Sequence, residues 1–386
     1  MSTPTLLVLG CGTVGQGVVR WLAGRSTFAR FLVADRDEAR ARYTATLAPG
    51  RAQPVAIDMA DRPALVRLMR QASVVLNCVG PFYRWGRPAV EAALEAGTPY
   101  VDINDDASSV EDLFSDPALD AQARHNRQVV LVGTGTSPGV TNMLARLGAE
   151  GMERVERITF ALASAVAFRG QAVMEHFIHV LSHPARVYRN GRLVDLPPFS
   201  EPETFTFLEV EEPILCYAAG HPEPITVPRF LPGVREVVMK FGRVPNALLE
   251  AFHTLYRYGL MDSQPIPVGG AQVSPAQFLG AFLASDTADR VFGFSRTRPL
   301  SARVVRVEGI AQGRRVEVTL RYTSPYVTAQ AAALTAEAVA QGRIPRYGLV
   351  GPEVLDARPL LRELLKEGGS FRMERRVVAE GLDENT

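Results

Sequence analysis

An apolar run, Leu6-Leu7-Val8-Leu9, feeds directly into Gly10-Cys11-Gly12-Thr13-Val14-Gly15, and Asp35 stands twenty residues beyond the last glycine. A strand, a G-x-G-x-x-G turn and a helix start in register constrain the fold more than any other part of the chain, because together they open a βαβ unit built around a dinucleotide. Gly10 permits the tight turn, Gly12 lets the backbone approach a pyrophosphate, and Gly15 lets the helix lie close to the strand. Thr13 and Val14 begin that helix, which runs on through Gly17. Its first turn offers unpaired N–H groups and the positive end of the helix dipole to phosphates. Asp35 ends the apolar run Phe31-Leu32-Val33-Ala34, where a carboxylate can accept both ribose hydroxyls.

The pattern repeats through residue 150. A polar helix over Asp37–Leu47 precedes a strand at Val55-Ala56-Ile57-Asp58, and Asp61 with Pro63 starts the next helix. Ser73–Val79 is almost wholly apolar, as a parallel strand buried on both faces must be. A helix over Pro88–Ala96 ends at Gly97. A strand follows at Tyr100–Ile103, then a polar helix over Asp112–His125 and a strand at Val129–Val132. Short apolar strands alternating with helices imply an α/β, Rossmann-type, doubly wound parallel sheet.

Beyond residue 155 the strands alternate apolar and polar residues, which suits a sheet with one wet face. Over Arg303–Tyr322, Val316, Val318, Leu320 and Tyr322 face one way, and Arg315, Glu317, Thr319 and Arg321 the other. Ala311-Gln312-Gly313 supplies the hairpin turn. Helices are expected over Ala172–Leu181, Pro245–Tyr258 and Pro275–Ala284. This reads as a second, mixed α/β (α+β) domain, residues 146–325. An alanine-rich helix over 327–341 and another over Pro359–Lys366 are placed back on the first domain, which then comprises 1–145 plus 326–386.

Composition narrows the function classes. The formal charge is +1, so nothing favours nucleic acid or an anionic membrane. Lysine occurs only at Lys240 and Lys366 among 42 basic residues. Cys11, Cys78 and Cys216 form neither a metal spacing nor a disulfide framework and fit a reducing cytosol. The first apolar run belongs to a strand rather than a signal peptide, and the longest apolar stretch, Ile158–Phe168, is too short for a membrane span. A cytoplasmic protein with a small-molecule substrate is expected.

Candidate site residues fall at strand ends. Asn77-Cys78-Val79-Gly80-Pro81-Phe82-Tyr83 ends the fourth strand, and its small residues Cys78, Val79, Gly80 and Pro81 would let a nicotinamide ribose pass; a simple strand terminus is the competing reading. Asp102 is a carboxylate at a buried strand end, costly unless paired or used. The loop Gly133–Gly139 can receive a carboxamide or a substrate carboxylate. Asp58 either accepts from an adenine amino group or shares a helix cap with Asp61. Arg36 beside Asp35 can attract a 2′-phosphate that Asp35 repels, and of NAD and NADP the acid favours NAD. His221 is a proton donor, a carboxylate binder or a hydrogen-bonded loop residue. His176, His179 and His183 share a helix face but lack a completing ligand set, so no metal is assigned.

The fingerprint, Gly80-Pro81-Phe82, Gly86, Glu95-Ala96-Gly97, Tyr100-Val101-Asp102 and Ser137-Pro138-Gly139 together resemble the saccharopine dehydrogenase family. The likeness extends to His221–Pro228, Gly233-Val234, Lys240-Phe241-Gly242 and Gly351-Pro352-Glu353. Many relatives carry Gly-Glu after Tyr-Val-Asp, where this chain has Asn104-Asp105, and the chain is shorter than full saccharopine-forming reductases. The resemblance implies an NAD(P)-dependent oxidoreductase of amino-acid metabolism. Hydride would move at a C–N bond of an amino-acid-derived substrate, with Asp102 or His221 handling the amine proton. It further implies coenzyme binding by Gly10, Gly12, Gly15, Asp35, Arg36 and residues 78–81, a second domain (146–325) for substrate and dimer contact, and a homodimer. The alternatives are a non-catalytic dinucleotide sensor or assembly protein, and a reductase of a lipid-like or polyamine-precursor substrate.

Overall fold

The computed structural model describes residues 4–165, 171–292, 300–324, 327–366 and 372–379. The chain divides into two compact units. One comprises Met1–Leu147, Ile225–Pro232 and Tyr326–Gly368; the other comprises Gly148–Pro224, Gly233–Pro325 and Gly369–Thr386.

The first unit is a seven-stranded sheet of β1 (Thr5–Leu9), β2 (Arg30–Asp35), β3 (Ala52–Ala56), β4 (Val74–Asn77), β5 (Tyr100–Asp102), β6 (Val129–Leu131) and β17 (Gly348–Val350). Every neighbouring pair is parallel, in the order β17-β6-β5-β4-β1-β2-β3. The helices α1 (Thr13–Leu22), α2 (Glu38–Ala45), α3 (Arg62–Met69), α4 (Phe82–Ala96), α5 (Ala107–Ser115), α6 (Pro117–His125) and α7 (Val140–Ala149) connect and follow the strands. This is the doubly wound α/β arrangement. Strand order reverses between β1 and β4, and ligands bind at the carboxyl ends of strands at such a point.

Three local details differ from the sequence reading. Proline favours a helix start, yet α4 begins at Phe82 and carries Pro88 inside it. Buried Phe82 and close packing at Gly86, where a Cβ would lie 2.5 Å from Ser109 Oγ, hold the extra residues. The expected helix over Asp112–His125 is two helices, broken where Asp116 ends α5 and caps α6 through Ala118 N–H at 3.0 Å. The strand β17 is too short for its pattern to stand out. The helix α13 (Val327–Ala340) packs on α1, with Ala329 filling the space a Cβ on Gly17 would need. The second terminal helix, α14 (Ala357–Lys366), lies in the same unit.

The second unit is a mixed sheet of nine strands: β7 (Arg154–Ser164), β8 (Ala185–Arg189), β9 (Arg192–Leu196), β10 (Glu203–Phe205), β11 (Ile214–Ala218), β12 (Glu236–Arg243), β15 (Ser301–Ala311), β16 (Arg314–Thr323) and β18 (Arg372–Ala379). Its other elements are α8 (Gln171–Ser182), α10 (Asn246–Arg257), α11 (Pro275–Leu283), α12 (Asp286–Phe292) and a hairpin of β13 (Ile266–Val268) and β14 (Ala271–Val273). The β15–β16 turn has positive φ at Gln312 and Gly313, the twist a two-residue hairpin prefers.

Two expectations change here. Residues 372–379, expected with the first domain, form β18, which pairs antiparallel with β16 and so adds an edge to the second sheet. The face expected to be wet is covered. Ala161, Ala163, Ala302 and Val304 pack with Phe205, Phe207, Ile214 and Cys216, and Arg321 Nε donates to Thr206 O at 3.0 Å. No helix among the described residues is long and apolar enough to cross a membrane. Val166–Phe168 of the longest apolar stretch lie outside the described residues, as does the side chain of His176. His179 and His183 stack at 3.9 Å, and no group among the described residues could hold a metal.

Candidate functional site

The glycine turn has the shape its sequence implies. Gly10 has φ +90°, and a Cβ there would lie 3.0 Å from the Cys78 backbone. A Cβ on Gly15 would lie 1.9 Å from Gly10 O, so the helix can approach the strand only as glycine. Around Gly12 there is open space: nothing lies within 4 Å of a built Cβ. Gly12 and Thr13 are exposed and Val14 is half-buried. Helices α2, α3, α5 and α6 are capped by Asp37, Asp61, Asp106 and Asp116, whereas α1 and α4 have no side-chain cap, at Gly12 and Pro81 respectively. The two bare helix starts follow β1 and β4, the strands on either side of the reversal. Cys78 N–H donates to Leu9 O at 2.8 Å, which joins the two loops.

Asp35 is locked against this turn. Its Oδ2 accepts from Cys11 N–H at 2.8 Å and its Oδ1 from Asp37 N–H at 2.9 Å. Arg36 is exposed and has no ion pair among the described residues, while nearby Arg40 and Arg42 pair with Asp37 and Glu38. Asp58 lies just past β3, exposed, with Oδ1 accepting from Ala60 N–H at 2.9 Å; Asp61 alone caps α3. Burial pushes the Cys11 thiol up to about 11 and that of Cys78 higher still, so both stay protonated and inert. Open backbone at Gly12, uncapped N–H groups and a fixed acid fit a dinucleotide: diphosphate on α1, ribose on Asp35.

Asp102 is fully buried at the tip of β5. Its Oδ1 accepts from Gly133 N–H (2.7 Å) and Asn104 N–H (3.0 Å), and its Oδ2 from the Tyr100 hydroxyl (3.0 Å). Burial, the largest influence, nevertheless pushes its carboxyl up to about 7.

His221 belongs to a different cluster, in the second unit. Its Nδ1 contacts Glu223 Oε2, a carboxylate with no exposed surface at the start of α9 (Glu223–Phe230). Glu223 also lies within electrostatic reach of Arg303, which sequence reasoning did not single out. Arg303 is 5% exposed on β15; Nη1 donates to Ser301 Oγ (2.8 Å) and Ala302 O (3.1 Å), and its buried Nε has no partner among the described residues. Arg243, at the end of β12, is equally buried, and burial lowers its pKa to about 10, still protonated at neutral pH. Arg243 pairs in register with Ser164 and Ser164 with Ser301, so this row and Arg303, two residues on, share one sheet face. Two buried guanidinium groups on one face make a strongly anion-seeking surface.

The fold and the glycine-turn crevice define a dinucleotide-binding α/β protein. Residues 6–132 match the saccharopine dehydrogenase NADP-binding domain. The amino-terminal domain therefore belongs to that family, whose coenzyme is a nicotinamide dinucleotide, and the chain carries the saccharopine dehydrogenase fold. It superposes on the L-glutamate-forming saccharopine dehydrogenase of Saccharomyces cerevisiae with a TM-score of 0.67 at 16% identity, covering 97% of this chain and 100% of that one. A lipid droplet localized protein of Caenorhabditis elegans is 34% identical over 121 residues, 29% of this chain and 28% of its own length. A trans-acting enoyl reductase of Mycobacterium ulcerans is 36% identical over 119 residues, again 29% and 28%. A saccharopine dehydrogenase-like oxidoreductase of Bos taurus is 37% identical over 57 residues, 15% and 13%. The aligned stretches thus span less than a third of each of these relatives.

Proposed function

We propose that the protein is a nicotinamide-dependent oxidoreductase acting at a C–N bond of a carboxylate-bearing, amino-acid-derived substrate. The observation that carries the substrate class is the pair of buried guanidinium groups, Arg303 and Arg243, on one face of the second sheet. A buried arginine such as Arg303, whose Nε has no partner among the described residues, binds a carboxylate far better than it tolerates an apolar chain. A nicotinamide dinucleotide held at Gly12 and Asp35 would supply the hydride acceptor for the carbon that bears nitrogen. In this reading His221, its Nδ1 held by Glu223, takes the proton the nitrogen loses, and the carboxylate partner stabilises the resulting imidazolium. Asp35 favours NAD; Arg36 is the side chain that would hold the extra phosphate of NADP.

A second reading, reduction of a lipid-like substrate, draws on the enoyl reductase and lipid-droplet relatives. Those matches cover under a third of the chain, and the buried arginines oppose an apolar ligand. Following reduced nicotinamide by absorbance, with amino acids plus NAD or NADP and with keto acid and amine pairs plus NADH or NADPH, separates the two. Turnover of a carboxylate-bearing amine supports the proposal; turnover confined to enoyl or lipid substrates overturns it. Gel filtration with light scattering would test the expected homodimer.

A further inference from the structure

The side chains of Asn77, Tyr100 and Asp102 form a continuous hydrogen-bonded chain across the tips of adjacent strands, and all three are fully buried. Val79 N–H donates to Asn77 Oδ1 at 2.9 Å, Asn77 Nδ2 donates to the Tyr100 hydroxyl at 3.0 Å, and that hydroxyl donates to Asp102 Oδ2 at 3.0 Å. From there the chain continues to the exit of β6. Gly133 N–H donates to Asp102 Oδ1 (2.7 Å), while Thr134 N–H and Oγ1 both donate to the Asp102 backbone carbonyl (2.7 and 2.8 Å). Since β5 lies between β4 and β6, Asp102 sits where it can fix the loops leaving both neighbours.

With Asp102 ionised, the proton order along this chain is fixed. Val79 N–H needs an acceptor, so Asn77 turns its oxygen to Val79 and its amide nitrogen to Tyr100. Tyr100 then gives its own proton onward, and the ionised Asp102 accepts it together with those of Gly133 and Asn104. A protonated Asp102 would face Tyr100 with a donor, and Tyr100 would have to point its proton at the Asn77 amide, another donor. With no exposed surface and three donors already in place, the Asp102 carboxylate has no route to a substrate.

We propose that Asn77, Tyr100 and Asp102 are positioning residues that hold the loops Val79–Pro81 and Gly133-Thr134 in the arrangement that receives the nicotinamide half of the coenzyme. The inference rests on the coenzyme reading above and assigns Asp102 a role distinct from proton transfer to substrate. It matters because a nicotinamide ring must be fixed closely for hydride transfer, and loops alone are less precise than loops pinned by buried side chains.

Its test compares two ligands that share the adenosine and diphosphate contacts but differ in the nicotinamide. Calorimetric titration of wild type, Tyr100→Phe and Asp102→Asn with NADH and with ADP-ribose, alongside thermal melts, is the experiment. Tyr100→Phe should weaken NADH binding by about 5- to 20-fold and leave ADP-ribose within about 2-fold. Asp102→Asn should do the same more strongly. Equal losses for both ligands, or no loss for either, overturns the positioning role while leaving the coenzyme reading intact. Failure of wild type to bind either ligand removes that reading, and this inference with it.

Discussion

A Cβ on Gly15 would lie 1.9 Å from the carbonyl oxygen of Gly10, whereas one on Gly12, three residues earlier, would meet nothing within 4 Å. Gly15 is therefore required by the protein's own packing, whereas Gly12 is not, and the proposed reading assigns its openness to the coenzyme. Gly15→Ala should lower stability by about 2–4 kcal/mol, because strand and helix must part. Gly12→Ala should melt with wild type and yet weaken coenzyme binding by at least about 10-fold. Thermal melts and NADH titration of both variants check this; a Gly12→Ala protein with intact affinity contradicts it.

In the proposed reading, coenzyme preference rests on neighbours of opposite charge at the tip of β2. Asp35 is tied to Cys11 N–H, and Arg36 stands exposed beside it without an ion pair among the described residues. Arg36→Ala should reduce affinity for NADPH by about 5- to 10-fold and leave NADH unchanged. Asp35→Asn should do the reverse, easing the repulsion of a 2′-phosphate. Parallel changes for the two coenzymes in either variant would show that neither residue discriminates.

Arg303 is held in a place that costs stability. Burial lowers its pKa, and its Nε is left without a partner among the described residues. Arg303→Met should therefore leave stability unchanged or raise it by about 1 kcal/mol, while raising KM for a carboxylate substrate by about 10-fold or more. Coenzyme affinity should stay at the wild-type value. A destabilised variant with normal KM would make Arg303 a purely structural residue.

The Asp102 carboxyl, pushed up to about 7 by burial, gives a pH signature of definite sign. In the unfolded chain it ionises near the ordinary value of about 4. Between about pH 4 and 7 the folded protein therefore holds more protons, so this group makes the fold less stable as pH rises, by at most about 1.4 kcal/mol per pH unit. Above about pH 7 its contribution is constant. Asp105 adds to the upward shift, while Tyr100 and Cys78, both raised themselves, stay neutral over this range. Denaturant melts across the window should show the stability of Asp102→Asn relative to wild type improving with pH. A difference flat in pH would contradict the assignment.

Much of the coenzyme half was legible because its determinants are local. Gly10, Gly12, Gly15 and Asp35 lie within one βαβ unit, and the spacing alone brings the acid to the turn. The second half was harder to read because its polar groups meet through register. Arg303 shares a strand face with Val305 and Val307 and pairs with Tyr322, a position that alternation marks as inward; the expected wet sheet face drew attention elsewhere. The His221–Glu223 contact spans only two residues, but nothing in the sequence shows that Glu223 is sealed from water. Asp102 could be recognised as a costly buried acid. That it bridges the exits of β4 and β6 needed the sheet order, which sets β5 between them.

Binding of a nicotinamide dinucleotide by the amino-terminal domain is tested most directly by calorimetric titration of the intact protein with NAD, NADP and their reduced forms. Saturable one-to-one binding of at least one of the four, lost in Gly12→Ala without loss of fold, is the predicted result. Absence of binding for all four, in protein that melts cooperatively, would contradict it.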